Sequence, residues 1–263
     1  MNVVVLLKQV PDTESLIEIH TDGSDIKTDN LKWIMNPYDE LAVEEGIRIR
    51  EKLGSGKVTV LSVGPERAIA AIRTALAMGA DEGVLISDPA LEKPDPLTTA
   101  KVLAAALKSI PFDVIMAGQR AVDDDSYLVP AAVAEYLGIP MLAMVVRQEI
   151  AGGKIRCEQS LQDGTAVVEA DLPALLTTQR GLNQPRYASL PNIMKAKKKP
   201  LETRSLAALG LDAALFGHAG LKTRILSLAF PPRRKVCKMV AGETAEEKAA
   251  RLVLALHEEA GVL

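Results

Sequence analysis

Histidine, cysteine and aromatic side chains are scarce in this chain of 263 residues, and each scarcity removes a class of chemistry. The two cysteines, Cys157 and Cys237, lie far apart with no CxxC pattern, which excludes a disulfide framework and a cysteine-based metal site. His20, His218 and His257 are never at ligand spacing, and no His–Ser–Asp order suggests a hydrolytic triad, so neither a catalytic residue nor a metal ligand stands out. Aromatic residues make up 3%, little for a protein that stacks bases or sugars. A formal charge of −3 argues against a general nucleic-acid binder. No apolar run reaches the roughly 18 residues that a membrane-spanning helix needs. The opening MNVVVLLKQVPD reads as a strand rather than as a secretory signal or transit peptide, so a cytoplasmic protein, or a processed organellar one, is expected. Neither GxGxxG nor GxxxxGK[ST] occurs.

What is present is a regular alternation. Short runs at Val3–Leu7, Val58–Val63, Gly83–Ser87, Val114–Ala117 and Met141–Val146 are rich in branched residues and lack a period of two, the pattern of parallel strands buried on both faces. Helical stretches separate them. Asn36–Pro37 opens one that Gly54 closes; Pro65 opens a second that stops at Gly79; Asp95–Pro96 opens a third. Val129, Val133 and Leu137 mark a fourth, ended by Gly138. Trp33 and the methionines on these stretches are core residues. The expected class is α/β, a doubly wound, mostly parallel sheet with right-handed crossovers. From about residue 147 the pattern changes: Lys154–Ser160 and Thr165–Ala170 alternate as antiparallel strands, and Ala174–Thr178 is a further buried strand. These features define a domain over 1–178. Over 179–263 periodicity fades until an amphipathic helix at Ala245–Leu263, and the stretch has the look of an arm that lies against a partner chain.

In an open α/β sheet, ligands sit at the carboxyl ends of the strands near the switch point. Those ends are Lys8-Gln9-Val10-Pro11, Val63-Gly64-Pro65 and Ala117-Gly118-Gln119. Gly64 and Gly118 permit close backbone approach, and the helices starting near 65 and 126 aim free N–H groups at the crevice. Into this place for an anion the chain puts Asp123, Asp124 and Asp125. A carboxylate repels a phosphate, so one Asp at most faces the ligand, accepting from a ribose or setting the loop. The other two are expected to cap the next helix and offset its positive end. Ser126 and the amides of 126–129 are the candidate phosphate ligands. The basic cluster Lys195, Lys197, Lys198 and Lys199 reads as a solvated face.

Five stretches, LLKQVPDTE, WIMNPYDELAVEEGIRIRE, IRTALAMGADEGV, AGQRAVDDDS and GLNQPRYASLPNIMKAKKKP, together resemble the beta subunit of electron-transfer flavoprotein, in order and through almost the whole chain. The resemblance implies an adenine-nucleotide alpha-hydrolase-like fold, and a subunit that is an electron carrier and not an enzyme by itself. It implies an alpha-subunit partner that holds the electron-transferring FAD, acyl-CoA-type dehydrogenases as donors and a membrane quinone reductase as acceptor. By motif the nucleotide site falls on Lys8, Gln9, Val10, Asn36, Val63, Gly64, Pro65, Gly118, Asp123, Asp125, Ser126, Tyr127, Leu128 and Val129. A recognition loop falls on Leu182, Asn183, Pro185 and Arg186, with Leu182 as the exposed anchor in a dehydrogenase pocket. The nucleotide implied is AMP, since the triple acid is closer to AMP-binding members. Electron-bifurcating members, which use NADH, hold a second FAD there. Tyr127 and Leu128 depart from both patterns. A stand-alone nucleotide-binding stress-type protein is the reading from another class.

Overall fold

The computed structural model describes residues 1–217, 220–232 and 237–262. Strand β1 (Val3–Leu6) shows how its sheet is built. All four residues are buried, with Val3 and Val5 in one apolar cluster and Val4 and Leu6 in another. A strand covered on both faces needs an unbroken branched run. The ribbon β2 (Gln9–Pro11) and β3 (Trp33–Met35) precedes α1 (Pro37–Leu53), β4 (Val58–Val63), α2 (Ile69–Met78), β5 (Glu82–Ile86), α3 (Pro96–Leu107) and β6 (Val114–Gly118). Then come α4 (Leu128–Leu137), β7 (Met141–Ala151), β8 (Lys154–Leu161), β9 (Gly164–Asp171), β10 (Ala174–Thr178), α5 (Leu190–Ala196), β11 (Leu201–Arg204) and α6 (Ala245–Glu258).

One nine-stranded sheet runs β11-β5-β4-β1-β6-β10-β7-β8-β9. It is parallel from β11 to β7 and antiparallel across β8 and β9. The fold is therefore the expected doubly wound α/β class. From β1 the chain steps outward to β4 and β5, then returns to β6 on the other flank of β1. That reversal places the switch point between β1 and β6. Helix α1 lies across β1, β6 and β10 there. Residues of α1, α2 and α5 share the first cluster, and residues of α3 and α4 the second, so both faces are covered.

The local punctuation holds. Pro37 is the first residue of α1 and Gly54 closes it at φ 70°, its N–H bonded to the Arg50 carbonyl. The Asp95 carboxylate caps α3 by accepting from Thr98 N at 2.7 Å. It also accepts from Lys222 N and Thr223 N, and these bonds outweigh burial to hold the carboxyl down at about 2.

Four features differ from expectation. Pro65 leads into a 3₁₀ turn at Glu66–Ala68 before α2 begins at Ile69. Strand β7 continues to Ala151, because its outer half pairs with β8. Residues after 179 do not lack packing of their own: β11 adds to the sheet edge beside β5, α5 packs on α2, and Ala196, Leu206 and Phe216 are buried. Met1–Ser227 accordingly forms one compact unit, with residue 178 inside it, and Leu228–Leu263 forms a second. In that second unit Thr244 caps α6, which ends at Glu258; Leu263, the expected end of this helix, lies outside the described residues. Leu252, Val253 and Leu254 of α6 are exposed. Among the described residues no helix is long and apolar enough to cross a membrane.

Candidate functional site

The polar centre of the switch point is a residue that sequence reasoning passed over. Asp39, in the first turn of α1, is buried and accepts from Lys8 N at 2.7 Å, from Gly118 N at 3.0 Å and from Asn36 Nδ2 at 3.0 Å. One carboxylate thus ties the carboxyl end of β1 to that of β6. Asn36 extends the tie: its Nδ2 also donates to the Arg120 carbonyl at 2.9 Å, and its Oδ1 accepts from Val122 N at 3.2 Å. The loop after β6 is thereby fastened to the start of α1. Gly118 is required here, though for a different reason from the expected one. A Cβ on it would meet Asp39 Oδ1 at 2.4 Å and Tyr38 Cβ at 2.7 Å, so its open side faces α1. An acid in the first helical turn of NPYDE looks like an ordinary dipole complement; only the fold shows that it is buried.

Burial pushes the Asp39 carboxyl from 3.8 up to about 7, against the bonds from Lys8, Asn36 and Gly118, which favour the charged form. Between those pH values the folded chain keeps a proton that the unfolded chain has released. The contribution of this group to stability is therefore complete below 3.8 and is lost as pH rises through about 7. Wild-type protein should lose stability relative to Asp39→Asn by about 1.4 kcal/mol per pH unit across that window, then level off above it. Thermal unfolding of both proteins between about pH 5 and about pH 8 measures this. Parallel profiles contradict it.

The acid run does not cap α4. Lys8 Nζ donates to Asp123 Oδ1 at 2.8 Å and to Asp124 Oδ2 at 3.0 Å, while Arg120 bonds Asp125 Oδ2 at 2.6 Å. Burial pulls the Lys8 ammonium down, Asp123 and Asp124 outweigh it, and its pKa stands above the ordinary value. Two of the acids thus neutralise a lysine brought over from β1, which is a contact invisible to local sequence reasoning. The N-cap of α4 is Tyr127, at φ 57° and with no side-chain cap bond. Asp125 is also left-handed, at φ 48°. Both positions are unusual for residues with side chains; Asp125 is held there by Arg120 and by its own N–H on the Ala121 carbonyl at 2.9 Å. Ser126 N donates to Asp124 Oδ1 at 3.1 Å, so that amide is engaged, and among the described residues no side chain caps the start of α4. Tyr127 and Leu128 are exposed, and the Tyr127 ring lies 6.0 Å from the Arg120 guanidinium.

At the other strand ends, Val10 is fully buried and Val63 half-buried, while Pro65 is exposed. Gly64 uses its N–H on the Ile86 carbonyl, and a Cβ there would meet only Ala68 Cβ at 3.7 Å. Gln9 Nε2 donates to the Arg67 carbonyl at 2.9 Å, and the Arg67 guanidinium stacks 3.8 Å from the half-buried Trp33 ring. Gln9 Oε1, Ser62 Oγ and Gln119 Oε1 are buried without a hydrogen-bond partner. Gln9 opens β2 shortly after the end of β1, Ser62 is near the end of β4, and Gln119 directly follows β6. Arg120 Nε and Asn183 Oδ1 are likewise buried with no partner among the described residues, and buried polar atoms are otherwise almost always satisfied.

The expected recognition loop is built differently from the expectation. Leu182 is no exposed anchor, because it is half-buried against the first core cluster. Asn183 Nδ2 donates to the Leu41 carbonyl at 3.0 Å and to Glu45 Oε2 at 2.8 Å. Pro185 is half-buried, and Arg186 points back at α1, where it bonds Glu44 and Glu51. The exposed apolar residues come next: Tyr187 at 100%, Leu190 at 79% and Met194 at 71% exposure. Of the lysines, Lys195, Lys197 and Lys198 are exposed as expected, but Lys199 Nζ donates to the Leu76 and Ala80 carbonyls at the end of α2.

Fold and buried polar tie define the class: a doubly wound α/β chain with its polar centre, Asp39 and Asn36, at the switch point, where such sheets take their ligands. Comparison with known proteins narrows this. The electron transfer flavoprotein domain model matches residues 25–209. The chain is 42% identical over 264 residues to the electron transfer flavoprotein subunit beta of Bacillus subtilis, covering all of both chains. It is 39% identical to that of Thermoanaerobacterium thermosaccharolyticum over 94% of both, and 36% identical to that of Bos taurus over 96% of both. The chain belongs to the electron transfer flavoprotein family, aligning end to end with its beta subunits, which sets aside a stand-alone stress-type protein.

Proposed function

We propose that this chain pairs with an electron transfer flavoprotein alpha subunit that carries FAD, and that it holds AMP at its own strand ends as a structural element. Electrons enter from acyl-CoA-type dehydrogenases and leave to a quinone reductase, in the cytoplasm. The observation that carries the nucleotide reading is the set of unsatisfied buried atoms Gln9 Oε1, Ser62 Oγ and Gln119 Oε1, together with an α4 start that no side chain caps. Adenine and ribose supply donors; a phosphate accepts from amides. Lys8 and Arg120 already hold carboxylates, so amides and the Ser126 hydroxyl are the phosphate ligands of this reading. The group that supplies redox chemistry is the FAD. This chain's residues orient and shield, and Asp39 and Asn36 set the strand ends.

For dehydrogenase docking we propose Leu190, with Tyr187 and Met194 beside it, in place of Leu182. A groove of about 410 Å³ between α2 and α5, lined by Ala70, Thr74, Ala77 and Ile193 among others, adjoins this exposed segment. The second reading is a bifurcating member with FAD in the strand-end site and NADH as donor; Tyr127 and Leu128, both exposed, match neither type. Extraction of the nucleotides from the purified heterodimer tests the proposal. AMP beside FAD supports it, and FAD alone at twice the amount replaces it with the second reading.

A further inference from the structure

The exposed segment 187–194 is bracketed. On its amino-terminal side, Arg186 Nε donates to Glu44 Oε2 at 2.8 Å and its two terminal nitrogens reach Glu51 at 2.8 and 3.0 Å. The Arg186 amide also donates to Glu44 Oε2, at 3.1 Å. Glu44 is 2% exposed and holds Arg48 as well, at 2.6 Å. Burial pushes the Glu44 carboxyl up, but Arg186 and Arg48 outweigh it and keep it charged. On the carboxyl-terminal side, Arg73 donates to the Ala196 and Lys199 carbonyls at 2.6 and 2.9 Å. Between these brackets stand exposed apolar side chains that a free loop would fold inward or leave mobile. A buried carboxylate satisfied by two arginines is an expensive feature to keep on a helix unless it holds something in place.

We infer that Glu44 is a positioning residue for partner docking: the Glu44–Arg186 ion pair holds residues 187–194 in the form that the donor dehydrogenase meets. This rests on the docking reading proposed above. Arg186, then, faces its own α1 and acts on the partner only through the segment it fixes. Pre-forming a binding segment removes the ordering cost from association, and it leaves the electron-transfer step itself untouched.

The test uses FAD-loaded heterodimer with a purified acyl-CoA dehydrogenase and its acyl-CoA substrate as donor. If the released segment is competent about a tenth of the time, Glu44→Gln raises the KM for the dehydrogenase about tenfold. The kcat and the flavin absorbance stay unchanged. Arg186→Lys, which keeps a charge but loses the fork, raises KM less. Combined with Leu190→Ala, Glu44→Gln adds little further, because both act through one surface. Should Glu44→Gln fail to fold, Arg186→Lys and the exposed Glu51→Gln carry the test. A KM that moves with Leu190→Ala but not with these variants overturns the inference while leaving the docking reading intact. A loss confined to flavin content or thermal stability overturns it as well. If Leu190→Ala leaves KM unchanged, the docking reading falls and this inference with it.

Discussion

Gly118→Val should abolish nucleotide retention and strip the chain of more than about 3 kcal/mol of stability. The new Cβ would sit 2.4 Å from Asp39 Oδ1, 2.7 Å from Tyr38 Cβ and 2.9 Å from the Tyr38 carbonyl carbon. The last of these is backbone in the first turn of α1, which packs across β1, β6 and β10 and cannot yield like a flexible side-chain end. Relief therefore requires moving α1 away from β6. That motion breaks the bonds from Lys8 N and Gly118 N to Asp39 and leaves a buried carboxylate short of partners. Urea unfolding and the nucleotide content of refolded heterodimer measure the outcome. Gly64→Ala is the internal comparison: its Cβ meets only Ala68 at 3.7 Å, so stability should stay within about 1 kcal/mol of wild type. Equal effects at the two glycines would contradict the account.

Leu190→Asp should raise the KM for an acyl-CoA dehydrogenase about thirtyfold, equivalent to about 2 kcal/mol, with flavin content and melting temperature unchanged. Leu190 is 79% exposed and opens a short helix capped by Ser189, so the substitution disturbs no core. Leu182→Asp is expected to do the reverse, lowering stability because Leu182 packs on the first core cluster. Steady-state kinetics and thermal unfolding of the pair separate the two roles. A larger KM effect from Leu182 at undiminished stability would restore it as the anchor.

The contrast between these two leucines shows where sequence reasoning stops. Strands β1, β4, β6 and β10 were legible because a strand buried on both faces must be a branched apolar run. Helix starts at Pro37 and Pro96 were legible from caps. By contrast β11 is a short, half-exposed LETR at a sheet edge, and α5 is a seven-residue LPNIMKA with Pro191 in its first turn. Neither has the periodicity that pattern reading needs. The ribbon of β2 and β3 is only three residues on each side.

For the site, locality set the limit. The strand-end positions Lys8, Gln9, Gly64 and Gly118 were readable from topology alone. The partners were not. Asp123 and Asp124 belong to Lys8, which lies more than a hundred residues earlier, and Gly118 belongs to Asp39. Exposure of an individual leucine depends on what folds over it, as Leu182 and Leu190 show. The acid run is therefore a set of ion-pair partners for Lys8 and Arg120 beside the strand ends, rather than a helix cap.

The measurement that bears most directly on this account is the nucleotide content of heterodimer purified without added nucleotide. Bound nucleotides are released by acid, separated by chromatography and identified by mass. The strand-end site described here predicts AMP and FAD in equimolar amounts, with AMP lost and FAD retained on the alpha subunit when Asp39 is replaced by Ala. FAD at twice the amount of the heterodimer, with no AMP, would contradict it.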